Sequence, residues 1–384
     1  MRILVVAHYQ GDGSPSAIFI HDQVKAYVQA GHEVLVFSPV GLGKKDLQGS
    51  RLFPLVRKQT IDGIEHVYMR YLTLSRYGNR HFNHTSAIAV LKTSFHKVLG
   101  QFDPDVIHAH TLGFNSEIGA YLKEKLGAPL VVTTHGSDTF IPHMEGQCAE
   151  LKEYADKADT VVCVSSLLRQ RLTECGVSVP MQVILNGFNI RYVTQPQKKD
   201  PTHMMQVGSL IPRKKTDMTI RAAAMLKEQT EKVRLTVIGS GPERENLENL
   251  AAELHVENDV LFAGQLSNQE VQERMAEATY FVMPSVREGF GIVYLEAMAA
   301  GCIVIGTEGE GIADAITHAG NGFLVPADNA EAIVQVIRNC MDDPVRAAQI
   351  AENGRNTALA LTWPHNAEQY QELFETLTKG EKAE

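Results

Sequence analysis

Short apolar runs rich in β-branched residues alternate with helix-length segments along the whole chain. In the first half the runs are RILVVA (2–7), EVLVFS (33–38), DVIHAH (105–110), PLVVTTH (129–135), TVVCVS (160–165) and MQVIL (181–185). Strands that are apolar on both faces, separated by helical stretches, predict parallel strands covered by helices on each side. The polar stretch NIRYVTQPQKKDPTH (189–203) interrupts the alternation and reads as a linker. The pattern then restarts with HMMQVG (203–208), VRLTVIG (233–239), DVLFAG (259–264), TYFVMP (279–284), CIVIG (302–306) and GFLVP (322–326). The reading is two doubly wound α/β domains in tandem, 1–190 and 204–362, joined by a linker at 191–203. A closing helix at 363–384 is expected to join the first domain. Open parallel sheets bind ligands at the carboxyl ends of their strands, so a cleft between the domains is the expected ligand site.

Composition narrows the class without naming a chemistry. With 384 residues the chain can bury two sizeable cores, and its net charge of -9 argues against nucleic acid as a partner. Cys148, Cys163, Cys175, Cys302 and Cys340 form no CxxC pair, so neither a disulfide framework nor a cysteine zinc site is expected. A reducing cytoplasm fits that spacing. The first residues, MRILVVAHY, start a strand rather than a signal sequence, and no apolar run approaches the ~20 residues a bilayer crossing needs. The expected location is the cytoplasm, with attachment to the inner face of the plasma membrane left open.

One segment departs from the acidic average. No Asp or Glu lies between Glu65 and Asp103, while Arg70, Arg76, Arg80, Lys92 and Lys97 are interleaved with Tyr68, Tyr71, Tyr77, Phe82 and Phe95. Residues 66–102 can therefore meet anionic headgroups or a phosphate-bearing substrate; the plain alternative is a loop and helix whose aromatics are core.

Several motifs carry candidate chemistry. VIGSGPERENLENL (237–250) is a strand, a glycine turn and a helix, but Arg244 stands where a dinucleotide fingerprint needs its third glycine. The opening turn, HYQGDGSPSAIF, has Gly11 and Gly13 but Ala17 after them. Glycine turns before helices still leave N–H groups suited to phosphate. FDPDVIHAH holds a nominal D-x-D metal motif at Asp103 and Asp105, yet Asp-Pro-Asp before a strand is ordinary turn chemistry. His108 and His110 share one strand face, and His110, nearer the strand's carboxyl end, is expected to approach the cleft. In VVTTHGSDTF (131–140) His135 follows a strand directly, with Asp138 three residues on, well placed to hydrogen-bond a sugar hydroxyl. VGSLIPRKKTDMTI (207–220) places Arg213, Lys214 and Lys215 just before a helix, where cations can meet a diphosphate or simply be solvated. Finally, SVREGFGIVYLEAMAAG (285–301) holds Glu288 and Glu296 on either side of a loop-to-helix junction. The pair admits three readings: an acid/base couple, a metal site, or two ends of a clamp on one extended ligand.

Taken in order, the segments THGSD, NGFN, VGSLIPRKK, VIGSGPE, the E-x7-E stretch and GEGIADAI…GNGFLVP resemble the retaining nucleotide-sugar glycosyltransferases of the GT-B fold, family four. The resemblance implies an α/β chain of two Rossmann-like domains that moves a sugar from a nucleoside diphosphate to a glycan or lipid-linked acceptor. It implies no cofactor and no metal, with a UDP-sugar as the expected donor. Carried onto this chain, Glu296 would hold the ribose and Glu288 would face the donor sugar. The backbone around Gly289, Phe290, Gly291 and Ile292 would hold the diphosphate. Lys214 would neutralise the phosphates, His135 would reach the sugar, and the AGQL stretch with Gly264 and Leu266 would lie by the base. Gly13, His110 and Asp138 complete the expected site. Ser209 replaces the family's usual arginine, leaving Arg213 or Lys215 to substitute, and Asn189 stands where aspartate is common.

The clamp reading of the two glutamates follows, with front-face attack in which the leaving phosphate takes the acceptor's proton. A bacterial envelope or exopolysaccharide pathway is the expected setting, with a lean toward teichuronic-acid-like polymers. The alternatives are a nucleotide-sugar 2-epimerase, a sugar phosphorylase, or a non-catalytic nucleotide-sugar-binding subunit.

Overall fold

The computed structural model describes residues 1–8, 18–43, 54–74, 79–140, 147–189, 199–230 and 232–380. The chain divides into two compact units, Met1–Leu185 with Trp363–Glu384, and Asn186–Thr362.

The first unit runs β1 (Arg2–Val6), α1 (Ile18–Gln29), β2 (Glu33–Leu42), β3 (Val56–Ile61), β4 (Ile64–Leu72) and α2 (Arg80–Leu99). It continues β5 (Val106–His110), α3 (Phe114–Leu126), β6 (Leu130–Thr134), α4 (Gln147–Ala155), β7 (Thr160–Cys163), α5 (Ser166–Glu174) and β8 (Met181–Val183). The sheet order is β3-β4-β2-β1-β5-β6-β7-β8, parallel except for the β3-β4 pair. Apolar runs become buried central strands, as in β1, where Ile3 to Val6 have no exposure, because helices remove both faces from water. β2 and β5 flank β1, so the direction of winding reverses there and loops open at the carboxyl ends.

The second unit runs β9 (Asp200–Val207), α6 (Thr216–Lys227), β10 (Arg234–Ile238), α7 (Arg244–Glu253), β11 (Val260–Gly264), α8 (Asn268–Glu277) and β12 (Ala278–Val282). Then follow α9 (Ile292–Ala299), β13 (Ile303–Thr307), β14 (Phe323–Val325), α10 (Ala330–Asp342) and α11 (Pro344–Ala360). Its all-parallel sheet has the order β11-β10-β9-β12-β13-β14, with the reversal between β9 and β12. The last helix, α12 (Trp363–Gly380), belongs to the first unit. There the Asn366 side chain accepts from Gln23 Nε2 at 2.7 Å and donates to the Leu185 carbonyl at 2.8 Å, and Tyr370 shares a 2.7 Å hydrogen bond with Thr133.

Three findings differ from the sequence reading. The β3-β4 hairpin occupies part of the basic segment, so Tyr68 is a buried strand residue and Tyr71 stacks on Phe114 at 4.9 Å. Cys148 and Cys175 form a disulfide, which overturns the expectation of none. Consecutive crossover helices α4 and α5 pack together and bring the two sulfurs to one place, a juxtaposition that sequence spacing does not encode. With this bridge present, the cysteines no longer point to a reducing compartment. Lastly, β9 begins at Asp200, inside the stretch read as linker, because Asp200 pairs with Ala278 of β12.

Asp105 accepts from the Arg2 backbone N–H at 2.6 Å, which ties the amino ends of β5 and β1 together. No described helix is long and apolar enough to cross a membrane.

Candidate functional site

In the second unit, four loops meet at the carboxyl edge of the sheet. After β9 the chain makes a tight turn at Gly208 and a single 3-10 turn, Pro212–Lys214. Leu210 donates its N–H to the Ser240 carbonyl at 2.9 Å, which ties this loop to the one after β10. Val286 donates to the Arg213 carbonyl at 2.8 Å, which ties it across the winding reversal to the loop after β12. Beneath them Gln206 Nε2 donates to the Lys214 carbonyl and to Thr216 Oγ1, at 2.9 and 3.0 Å, fixing where the lysine leaves the backbone.

This scaffold brings two of the expected residues into direct contact. Lys214 Nζ forms an ion pair with Glu288 Oε2, both side chains being nearly buried. Arg213 Nη1 reaches the same oxygen at 3.4 Å and the Arg287 carbonyl at 3.4 Å. Lys215 turns away in the left-handed conformation (φ 51°) and pairs with Asp328 at 2.6 Å. Of the two candidates to replace the missing arginine, Arg213 therefore stands beside Lys214 and Lys215 does not. Ser209 itself is exposed.

The loop after β12 ends at Gly291, whose φ of +83° lets the chain turn into α9. The Phe290 ring is buried, so at that position only the backbone can serve a ligand. The Tyr294 hydroxyl donates to the Met283 carbonyl and lies 3.2 Å from Ser285 Oγ, anchoring the loop from below. Ile292 opens α9, and Glu296 is half-buried one turn further along it. Gly289 approaches the loop after β13 so closely that a Cβ on Gly311 would lie 2.0 Å from its carbonyl oxygen. On the other side of the sheet Gly264, with φ +73° and open space around it, ends β11, and Leu266 follows, half-buried.

The sequence reading missed Glu310. Its Oε1 accepts from the Arg287 N–H at 2.9 Å and its Oε2 from the Glu288 N–H at 2.8 Å. Burial pushes this carboxyl's pKa up, and the two N–H groups oppose that shift. The available signal was an acid inside the glycine turn GEG directly after a buried strand.

In the first unit, His110 and His135 come together. His110 Nδ1 and His135 Nε2 are 3.0 Å apart and the rings stack with centroids 5.3 Å apart. His110 is fully buried, so it supports His135 rather than reaching the surface, contrary to the expectation for it. His108 lies beneath, hydrogen-bonded to Thr133 Oγ1 at 2.8 Å. Burial lowers the pKa of His108 and of His135 to about 3, and that of His110 well below the ordinary value, so all three rings are neutral near pH 7. Between two neutral rings one nitrogen donates and the other accepts, so the tautomer of each ring is coupled to that of the other. His135 Nδ1 has no hydrogen-bond partner among the described residues.

Asp138 is spent on the fold. Its carboxylate accepts from the N–H groups of Leu112, His135 and Gly136 at 2.7, 3.1 and 2.9 Å, holding the turn that presents His135. Gly13 lies outside the described residues.

The segment 66–102 is also partly neutralised from within. Arg80 contacts Glu117, Glu150 and Glu153 at 3.3, 3.5 and 3.6 Å and lies 3.8 Å over the Tyr154 ring. Arg76 and Tyr77 lie outside the described residues. Lys92 and Lys97 remain exposed on α2, as do Phe82 and, at the end of the hairpin, Leu72 and Leu74.

Comparison with known proteins converges on one family. The model for "Glycosyl transferases group 1" matches residues 191–357, and that for "Glycosyltransferase Family 4" matches residues 16–192. A GDP-mannose-dependent alpha-(1-6)-phosphatidylinositol monomannoside mannosyltransferase of Mycolicibacterium smegmatis is 26% identical over 282 residues, covering 68% of this chain and 74% of its own. Among solved structures, the sucrose-phosphate synthase of Thermosynechococcus elongatus superposes with a TM-score of 0.79 at 20% identity, over 99% of this chain and 100% of that one. Anabaena HepE in complex with UDP-glucose gives 0.73 at 21% identity, over 98% and 100%. At these identities the two structures speak for the fold alone.

Proposed function

The chain belongs to the group 1, family 4 glycosyltransferases of GT-B architecture, and from that premise we propose that it transfers a sugar from a nucleoside diphosphate donor to a glycan or lipid-linked acceptor of the bacterial envelope, with retention of configuration. The observation that carries this reading is the convergence of Lys214 and Arg213 on Glu288 at the start of α9. Breaking the glycosidic bond to phosphate leaves an oxocarbenium-like sugar and a nucleoside diphosphate of growing negative charge. The two cations and the N-terminal N–H groups of α9 answer that charge as it develops. Attack from the same face lets the departing phosphate oxygen take the acceptor's proton. The protein then needs no strong base, in keeping with a His135 whose pKa burial lowers to about 3, which makes it a poor proton acceptor.

Within the proposal Glu296 holds the ribose, Glu288 faces the sugar, Arg213 takes the place left by Ser209, and Gly264 and Leu266 border the base. His135 orients the donor sugar through Nδ1, the ring nitrogen that His110 leaves unengaged. The donor is a UDP- or GDP-sugar, UDP being what the family resemblance implies and GDP-mannose what the mycobacterial relative is named for. UDP-, GDP- and ADP-sugars should be compared by thermal stabilisation and slow hydrolysis, since a bound ligand raises apparent stability. One of them is expected to stabilise the wild type. Glu296→Ala should weaken its binding about 10- to 100-fold, the value of charge-assisted hydrogen bonds at ~1.5–3 kcal/mol. Equal binding by both proteins would remove Glu296 from the site, and no stabilisation by any sugar would remove the reading.

An acceptor at a membrane is favoured by the exposed Leu72, Leu74 and Phe82 together with the exposed Lys92 and Lys97 of α2. The proposal is a peripheral contact in which the apolar side chains enter the headgroup region and the lysines of α2 meet anionic lipid. Binding to anionic liposomes should weaken with salt and with Lys92→Glu/Lys97→Glu. Arg80 is a poor probe, because its carboxylate partners already neutralise it. Absence of liposome binding at low salt would sink the contact while leaving transfer to a soluble glycan intact.

A further inference from the structure

Glu288 is the residue on which both phosphate-side cations converge, yet its backbone is held from a different strand. Glu310, in the turn after β13, gives one carboxylate oxygen to the Arg287 N–H and the other to the Glu288 N–H. The same turn returns a bond, because Gly311 donates its N–H to the Glu288 carbonyl at 3.2 Å. Arg287 is held at φ +56°, a conformation that costs a non-glycine residue energy and persists only where surrounding contacts enforce it. Gly311 has no room for a side chain against the Gly289 carbonyl, so the two turns interlock.

We infer that Glu310 is a positioning residue: its carboxylate fixes the Arg287 and Glu288 peptide units and so aims the Glu288 side chain at Lys214. This role rests on the transfer reading given above. Two consequences distinguish it from general support of the fold. First, the N–H groups of residues 287 and 288 are already taken, so the donor's diphosphate must use donors further along, at Gly289, Phe290, Gly291 and Ile292. Second, removing the clamp should damage the work of Glu288 while Lys214, Arg213 and the α9 terminus still meet the phosphates.

Glutamine is the telling substitution. It keeps the shape of the side chain but turns one of the two acceptors into an NH2 facing an N–H. The test is a double-mutant cycle of Glu288→Gln and Glu310→Gln, read as kcat/KM for hydrolysis of UDP-glucose or GDP-mannose, whichever the wild type cleaves faster. Inhibition by the matching nucleoside diphosphate is measured beside it. Glu310→Gln is expected to lower kcat/KM about tenfold, with the double variant no worse than Glu288→Gln within about threefold, as coupled neighbours behave. The nucleoside diphosphate should still inhibit within about twofold of wild type, and amide exchange over residues 286–291 should quicken without any substrate.

Additive penalties in the cycle, or wild-type kcat/KM in Glu310→Gln, would overturn the positioning role. If Glu310→Gln does not fold, Glu310→Asp, which retracts both oxygens by one methylene, takes its place with the same criteria. A wild type that cleaves no nucleotide sugar would overturn the transfer reading, and this inference with it, a result distinct from additivity in an active enzyme.

Discussion

Lys214→Ala is expected to lose about two to three orders of magnitude in kcat while the protein stays folded, the loss typical when one preorganised donor to developing charge is removed. The side chain is well suited to that role. Its Nζ is nearly buried against Glu288 and lies 3.8 Å from Met283 Sδ, and its stem packs over Gly208. A cation so enclosed is poorly screened by water and salt, so its pull on a departing diphosphate is stronger than that of a surface lysine. The fold has less at stake, because Gln206 bonds the lysine's carbonyl rather than its side chain. The variant leaves Glu288 with Arg213 alone, a longer and more exposed contact, so a modest drop in Tm should accompany the loss.

The kinetic pattern decides what Lys214 does. A fall in kcat with donor KM little changed means the contact strengthens as the bond to phosphate breaks. A raised KM with unchanged kcat would mean it binds donor and transition state alike. Wild-type kcat and KM together would sink the assignment.

The strand pattern of both units was legible because parallel strands between helices are continuously apolar, and every run named in the sequence has a strand in the structure. The β3-β4 hairpin escaped that test because β3 is an edge strand with polar residues on its exposed side, VRKQTI. Its signal was local instead: Asp62-Gly63, both at positive φ, are the two residues of a tight hairpin turn. Lys214 and Glu288 were legible as types in a motif, but their ion pair was not. It depends on the β9/β12 reversal setting two distant loops side by side. Glu310 and the Cys148–Cys175 bridge escaped for the same reason, and so did the bond from the Leu112 N–H to Asp138, since each joins segments that are near only in the folded sheet.

The glycine turn VIGSGPE shows the same limit from the other side. Read along the chain, Gly239 and Gly241 suggest N–H groups bared for phosphate. In the fold they are crossing points between backbones. A Cβ on Gly239 would lie 1.9 Å from the Gly208 carbonyl oxygen, and one on Gly241 would lie 2.2 Å from that of Leu210. Both obstacles are main chain and cannot rotate aside. Gly239 also has a φ of +137°, which side chains rarely adopt, whereas Gly241 shows no such angle.

Gly239→Ala must therefore either break the bonds from Gly208 to Ile238 and from Gly239 to Gly264, 2.9 and 2.8 Å long, or push the loop that carries Lys214 outward. Overpacking at ~1–3 kcal/mol and backbone strain of similar size give about 2–6 kcal/mol, or roughly 6–18 °C in the Tm of a unit of this size. Gly241→Ala carries only the steric part. Gly264→Ala carries only the strain, since its φ is +73° with nothing within 4 Å among the described residues, and should cost about 1 kcal/mol. The expected order of Tm loss is Gly239, then Gly241, then Gly264, with donor binding failing alongside stability in the first two. A Gly239→Ala protein as stable as wild type but unable to bind donor would reverse the conclusion, making the motif a phosphate turn after all.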